Sequence, residues 1–176
     1  MFLTDTLAMK GRLHLQLTNK AGHLVTTTAA DNAIVFTGRE LVAQLFVQVK
    51  NTSPISHIAV GIGSQDTDPA GDTALNQEVF RKALKPFDRT KDLTSLTVEV
   101  PTQDGSQQQK SSRVRLSADL DFNEPNPDDR NGKTYELTEA GLFNAADGGI
   151  MYNRVVFPKI SKTADFKLTL VWEIIF

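Results

Sequence analysis

Asp119, Asp121, Glu124, Asp128 and Asp129 crowd five carboxylates into one stretch of the chain. Hard cations such as calcium are held by oxygen ligands of this kind. Asp119 and Asp121 are two apart, so on a strand they share a face. The spacing is nonetheless not that of a calcium loop, and Arg113, Arg115 and Arg130 lie close enough to neutralise the acids. A solvated, charge-paired face is the expectation, and no metal ligand is assigned.

Glu139 is the other acid that raises a chemical question, because it stands inside the otherwise apolar Glu139-Ala140-Gly141-Leu142-Phe143. A catalytic carboxylate needs a nucleophile, a second acid or an orienting group, and none accompanies it here. Ala140 and Gly141 are small enough for a tight turn, with Leu142 and Phe143 returning to the core. Glu139 therefore reads as a structural acid at a turn made with Gly141, Leu142 and Phe143. It would accept backbone N–H groups or pair with an arginine such as Arg81 or Arg154.

Val60-Gly61-Ile62-Gly63-Ser64 has the glycine spacing that opens a phosphate loop. Such a loop requires a helix directly behind it to aim N–H groups at phosphate. Gln65-Asp66-Thr67-Asp68 follows instead, acidic and rich in turn formers. His14, His23 and His57 fall in separate segments without ligand spacing, and no Gly-x-Ser-x-Gly elbow occurs. These residues assign no catalytic group, no cofactor site and no metal site, and the chain is read as not an enzyme.

The elements that must position these residues are mainly strands. Leu13, Leu15 and Leu17 alternate with polar residues, and a turn at Asn19-Lys20-Ala21-Gly22 precedes the β-branched Leu24–Thr28. This predicts an N-terminal hairpin over about 11–30. Thr37-x-x-Glu40 has the form of a capping box, and Leu41, Val42, Leu45, Phe46 and Val49 then recur at helical spacing. One helix is predicted over about 38–50. Ile58, Val60 and Ile62 form a strand whose other face, Ala59, Gly61 and Gly63, is bare enough to admit a close layer. Further strands are marked by Leu96–Val100, by Val114–Phe122 and by Phe166–Phe176. Gln103–Ser112 reads as an exposed, mobile loop. Asn131-Gly132 is a hairpin signal that would pair 133–137 back onto Val114–Phe122. The architecture expected is an antiparallel β-sandwich or partly closed barrel with one packed helix, as a single domain over 1–176.

Two regions suggest contact surfaces. Trp172 lies on the apolar face of the last strand and reads as core, whereas Val171 and Ile175 lie on its opposite face, which should be wet. A covering subunit would explain them. The segment 66–86 has few apolar anchors, so it reads as an arm ordered at an interface, with Phe80 as its plug and Arg81 as a polar contact.

Composition bounds the rest. The 176 residues carry 19 basic and 21 acidic side chains, a formal net charge of -2. This gives no general attraction to nucleic acid. There is no cysteine, hence no disulfide framework or thiolate metal site. The opening Met1–Leu7 carries Asp5 and lacks the basic start of a secretory leader. No apolar run approaches the ~20 residues of a membrane helix.

Four stretches in order carry a resemblance: "NAIVFTGRELVAQLF" (32–46), "ISHIAVGIGSQDTDPAGDTALNQEVFRKAL" (55–84), "EAGLFNAADGGIMYNRVVFPKISKT" (139–163) and "LTLVWEIIF" (168–176). Together they resemble small tailed-bacteriophage virion proteins of the tail-fibre or baseplate-associated kind. The resemblance implies a non-enzymatic particle component located in the virion, a homo-oligomer with three-fold symmetry, docked on other virion proteins. The chain is short and lacks a repetitive shaft, which favours a tail, collar or baseplate connector over an adhesin. A capsid decoration protein, or a receptor- or carbohydrate-binding module, is the alternative. Against the latter, loops 103–112 and 123–132 contain no Trp, Tyr or Phe to stack on a sugar.

Overall fold

The computed structural model describes residues 9–102, 105–125 and 134–176. Nine strands and two helices follow in order: β1 (Lys10–Asn19), β2 (Leu24–Ile34), α1 (Phe36–Phe46), β3 (His57–Gly61), β4 (Glu78–Ala83), α2 (Arg89–Asp92), β5 (Leu93–Thr102), β6 (Gly105–Leu120), β7 (Tyr135–Phe143), β8 (Met151–Lys162) and β9 (Phe166–Ile175). All nine join one antiparallel sheet in the order β4-β3-β7-β8-β2-β1-β9-β6-β5. The fold is mainly β, as the strand alternation predicts.

The sheet is a curled half-barrel, and β2 is its corner. Leu24 and Thr26 to Asn32 pair with β1 around a bulge at Val25, while only Ala33 and Ile34 pair with β8. The two halves of the sheet then fold over one core. Leu13, Leu15, Leu137, Leu142, Leu170 and Trp172 are all buried in it. At the far rim the Lys85 N–H, just past β4, donates to the Ser117 carbonyl of β6 at 2.8 Å. That contact draws β4, the first strand of the order, toward β6, the last but one.

Several expectations are corrected. The helix begins at Phe36 and ends at Phe46, not 38–50, and the capping box does not form: Val35 is the N-cap and no side chain caps it. Thr37 Oγ1 instead donates to the Met151 carbonyl at 2.8 Å. Gly38 lies so close to β8 that a Cβ would stand 2.0 Å from the Tyr152 carbonyl oxygen. Tertiary contact with β8, not local capping, sets where α1 starts. Beyond its end Gln48 and Asn51 take positive φ, 53° and 68°, so Val49 leaves the helical stripe; Val49 and Phe46 are 46% and 88% exposed. A second helix, the one-turn α2, is capped by Asp88, whose Oδ1 accepts from Thr90 N–H.

The glutamine-rich stretch is strand rather than loop. Gly105 to Val114 pair with β5 along their full length, and β9 joins β6 only from Arg113 onward. The first half of β6 and most of β5 are thus a two-stranded ribbon standing off the sheet, which explains its exposure. β7 lies between β3 and β8 and does not pair with β6. The Asn131-Gly132 hairpin signal lies outside the described residues.

Candidate functional site

Glu139 sits in mid-strand on β7, not at a turn. Gly61 of β3 is its register partner on one side and Val156 of β8 on the other. Side chains at 139 and 141 share a face, and so do 154 and 156. Glu139, Gly61, Gly141 and Arg154 therefore lie together on the face of the sheet opposite the main core. The expectation of a turn at 139–143 fails because small residues here serve lateral packing. A Cβ on Gly141 would stand 3.1 Å from Leu75 Cδ2 and 2.8 Å from the Asn153 carbonyl oxygen.

What covers this face is the segment after β3. Leu75 is buried with Val35, Ala59, Phe143 and Met151 in a second, smaller apolar cluster. The strap is fixed by one saturated carboxylate. Glu139 Oε1 accepts from Gln77 N–H at 2.7 Å and Gly63 N–H at 3.1 Å. Its Oε2 accepts from Asn76 N–H at 3.1 Å and from Arg154 Nε at 2.9 Å.

Arg154 is equally occupied. Its Nη1 donates to Asp72 Oδ2 at 3.0 Å and to the Asp66 carbonyl at 3.2 Å, and its Nη2 to the Gln65 carbonyl at 2.9 Å. Glu139 and Arg154 are both fully buried. Burial alone would lower the Arg154 pKa, but the hydrogen bonds and charges of Glu139 and Asp72 outweigh it and raise the pKa. The bare face of β3 has its reason here: a Cβ on Gly61 or Gly63 would stand 2.6 Å or 2.4 Å from Glu139 Oε1. The carboxylate has a backbone or guanidinium donor at every approach and no open side for a substrate.

The segment 66–86, expected as an arm ordered at an interface, is instead held by its own chain. Its first half is the strap, with Leu75 rather than Phe80 as the plug, and its second half is β4, paired to β3 through His57↔Ala83 and Val60↔Phe80. Phe80 packs against the main core of its own chain. Arg81 grips Glu78 at 2.6 Å, donates to the carbonyls of Ala145 and Gly148 at 3.1 and 2.7 Å, and stacks its guanidinium 3.8 Å from the Phe143 ring centre. It staples the β7–β8 turn.

Val171 is not exposed on a wet face. It is buried at the floor of a polar hollow of about 210 Å³ walled by His14, Gln16, Arg115 and Glu173. Long charged side chains with apolar stems cover it without a partner subunit. Ile175 is half-buried between Lys10 of β1 and Arg113 of β6.

The described acids of the 119–129 stretch are each taken up by lysines. Asp119 meets Lys85 and Lys167 at 2.9 and 3.4 Å, while Asp121 and Glu124 both meet Lys82. Asp128, Asp129 and Arg130 lie outside the described residues. His14 lies beside Glu173 at 3.7 Å, His57 hydrogen-bonds Ser56, and His23 is at the β1–β2 turn.

Two features escaped the sequence reading. Lys162 is a fully buried lysine at the end of β8, its Nζ donating to the Thr163 carbonyl at 3.0 Å. Its position on the inward face, two past Ile160, was the available signal. An almost wholly apolar hollow of about 300 Å³ lies between α1 and the sheet, lined by Leu41, Val42, Leu45, Val114, Tyr152 and Ile174 among others. No protein-family model, curated protein or solved structure matches the chain.

Proposed function

We propose that the protein is a non-enzymatic structural component of a tailed-bacteriophage particle, a tail, collar or baseplate connector that self-associates and docks on a neighbouring virion protein. One observation carries the reading. The residues of the resemblance that lie far apart in the chain, Gly61 and Gly63, Asp72 to Gln77, Glu139 and Arg154, meet in a single buried node. These residues form a device for holding a strap on a sheet, with its charged groups consumed internally. Such a device suits a part whose task is to keep its shape under load rather than to turn over a substrate. The exposed apolar side chains at the end of α1, Phe46, Val47 and Val49, and Phe87 before α2 add surface suited to contacts.

The test is quantitative mass spectrometry of particles purified from cells carrying the genome that encodes the chain. The protein should co-purify in a fixed copy number per particle, and its deletion should leave incomplete particles. Particles that are complete and infectious without the protein would overturn the reading.

A further inference from the structure

β2 has a free edge. β1 occupies one side of it from Thr26 to Asn32 and, past a bulge at Val25, at Leu24, but on the other side β8 takes up only Ala33 and Ile34. Among the described residues no strand covers Leu24–Asn32 on that second side. An uncovered row of N–H and C=O groups is a template for another strand, and chains ordinarily blunt such edges with proline, lysine or brevity. Other margins of this sheet are blunted to different degrees, and β5, the last strand of the order, carries Pro101 near its end. β8, where it leaves β2, carries Pro158 and Lys159; β4 is 6 residues long. The β2 edge has no proline, lysine or glycine, and Leu24 and Val25 are 57% and 51% exposed on it.

We propose that this edge is an interface with a second copy of the same chain, β2 pairing antiparallel with β2 of the partner about a two-fold axis at Thr27. The sequence is complementary to itself in that register. Thr27 faces its own copy, Thr26 faces Thr28, Val25 faces Ala29, Leu24 faces Ala30 and His23 faces Asp31. Each bulky apolar side chain meets an alanine, threonines meet threonines, and an imidazole meets a carboxylate, all favourable cross-strand pairs. Centring on Thr28 instead sets Val25 against Asp31, and centring on Thr26 leaves Asp31 beyond His23 and facing the turn. Asp31 already lies near Arg12, but at 3.6 Å with both side chains largely exposed, a contact weak enough to leave its carboxylate available. Pairing of this kind is isologous and closes at two copies, in contrast to the three-fold assembly implied by the resemblance. It goes beyond the virion reading and holds for the purified protein whatever its biological role.

Because the chain has no cysteine, single introduced cysteines report the register directly. Thr27→Cys places two thiols opposite each other across the axis. Val25→Cys places them four residues apart along the strand, roughly 13 Å, beyond disulfide reach. Under mild oxidation Thr27→Cys should cross-link most of the protein, and Val25→Cys should cross-link little above the rate of random collision. Sedimentation equilibrium should show a dimer for the unmodified chain and a monomer for Thr27→Lys, which sets two ammonium groups side by side. Circular dichroism of each variant checks that it is folded. Equal cross-linking of the two cysteine variants, or a folded Thr27→Lys that associates as strongly as the parent, overturns the proposal.

Discussion

At the residue scale the decisive group is Glu139, and its role is set by neighbours that no local pattern announces. Alternation and small residues around it suggested a turn, yet the chain stays in a strand there and the turn it ties down belongs to a distant segment. Arg154 could be named in advance as a partner because a buried carboxylate demands a cation; Asp72 and the strap carbonyls could not, since they arrive only when the strap folds back. The bare face of β3 was legible, because glycine at alternate positions predicts a close layer even when the layer is unknown. Glu139→Gln puts an NH2 group where four donors converge and leaves the buried guanidinium with Asp72 as its remaining carboxylate. It is expected to lower stability by about 3–5 kcal/mol, read as a shift in the urea midpoint. An unchanged midpoint would show that the strap is held by Leu75 and its apolar cluster alone.

At the scale of elements, strands were legible wherever one face is buried, as in β1 and β9, whose alternation follows the core. β5 was marked by Leu96–Val100, but the first half of β6 was not legible, because its polar, mostly exposed glutamines leave no apolar period to read. The helix was found but misplaced. Thr37 and Glu40 match a capping box by type, while the structure gives the Thr37 hydroxyl to Met151 and leaves Glu40 exposed. Two substitutions separate the accounts. Thr37→Val keeps the shape and removes the hydrogen bond to β8, so it should lower stability by about 1 kcal/mol. Glu40→Ala should stay within about 0.5 kcal/mol of the parent. Thermal melts of the pair decide: comparable losses would restore the capping box, and a loss confined to Thr37→Val confirms that β8 fixes the start of α1.

At the scale of the whole molecule, curling nine strands around one core traps ionisable groups whose protons then govern stability. Among the described residues Lys162 and Tyr152 have their pKa values moved strongly by burial, and they act in opposite senses at neighbouring pH. Burial lowers the Lys162 pKa from 10.5 to about 8, although Glu124 and Asp121 pull the other way. Between those values the unfolded chain binds more protons than the folded one, so stability rises with pH from about 8 toward about 10. Below that window the folded state carries a buried ammonium, which destabilises it by roughly 2–4 kcal/mol. Tyr152, buried beneath α1, has its pKa raised from 10.0 to about 12 by loss of solvent. Above about pH 10 the unfolded tyrosine ionises first, the folded chain holds more protons, and stability falls. The unfolding midpoint in urea should therefore climb through mildly alkaline pH, peak near pH ~10 and then decline. Lys162→Met should raise the midpoint at neutral pH and flatten the climb, because it replaces a buried ammonium by a side chain of similar length and no charge. Tyr152→Phe should leave the climb and weaken the decline. A Lys162→Met protein that keeps the full alkaline rise would mean that Lys162 reaches solvent in the folded chain and that another group titrates there.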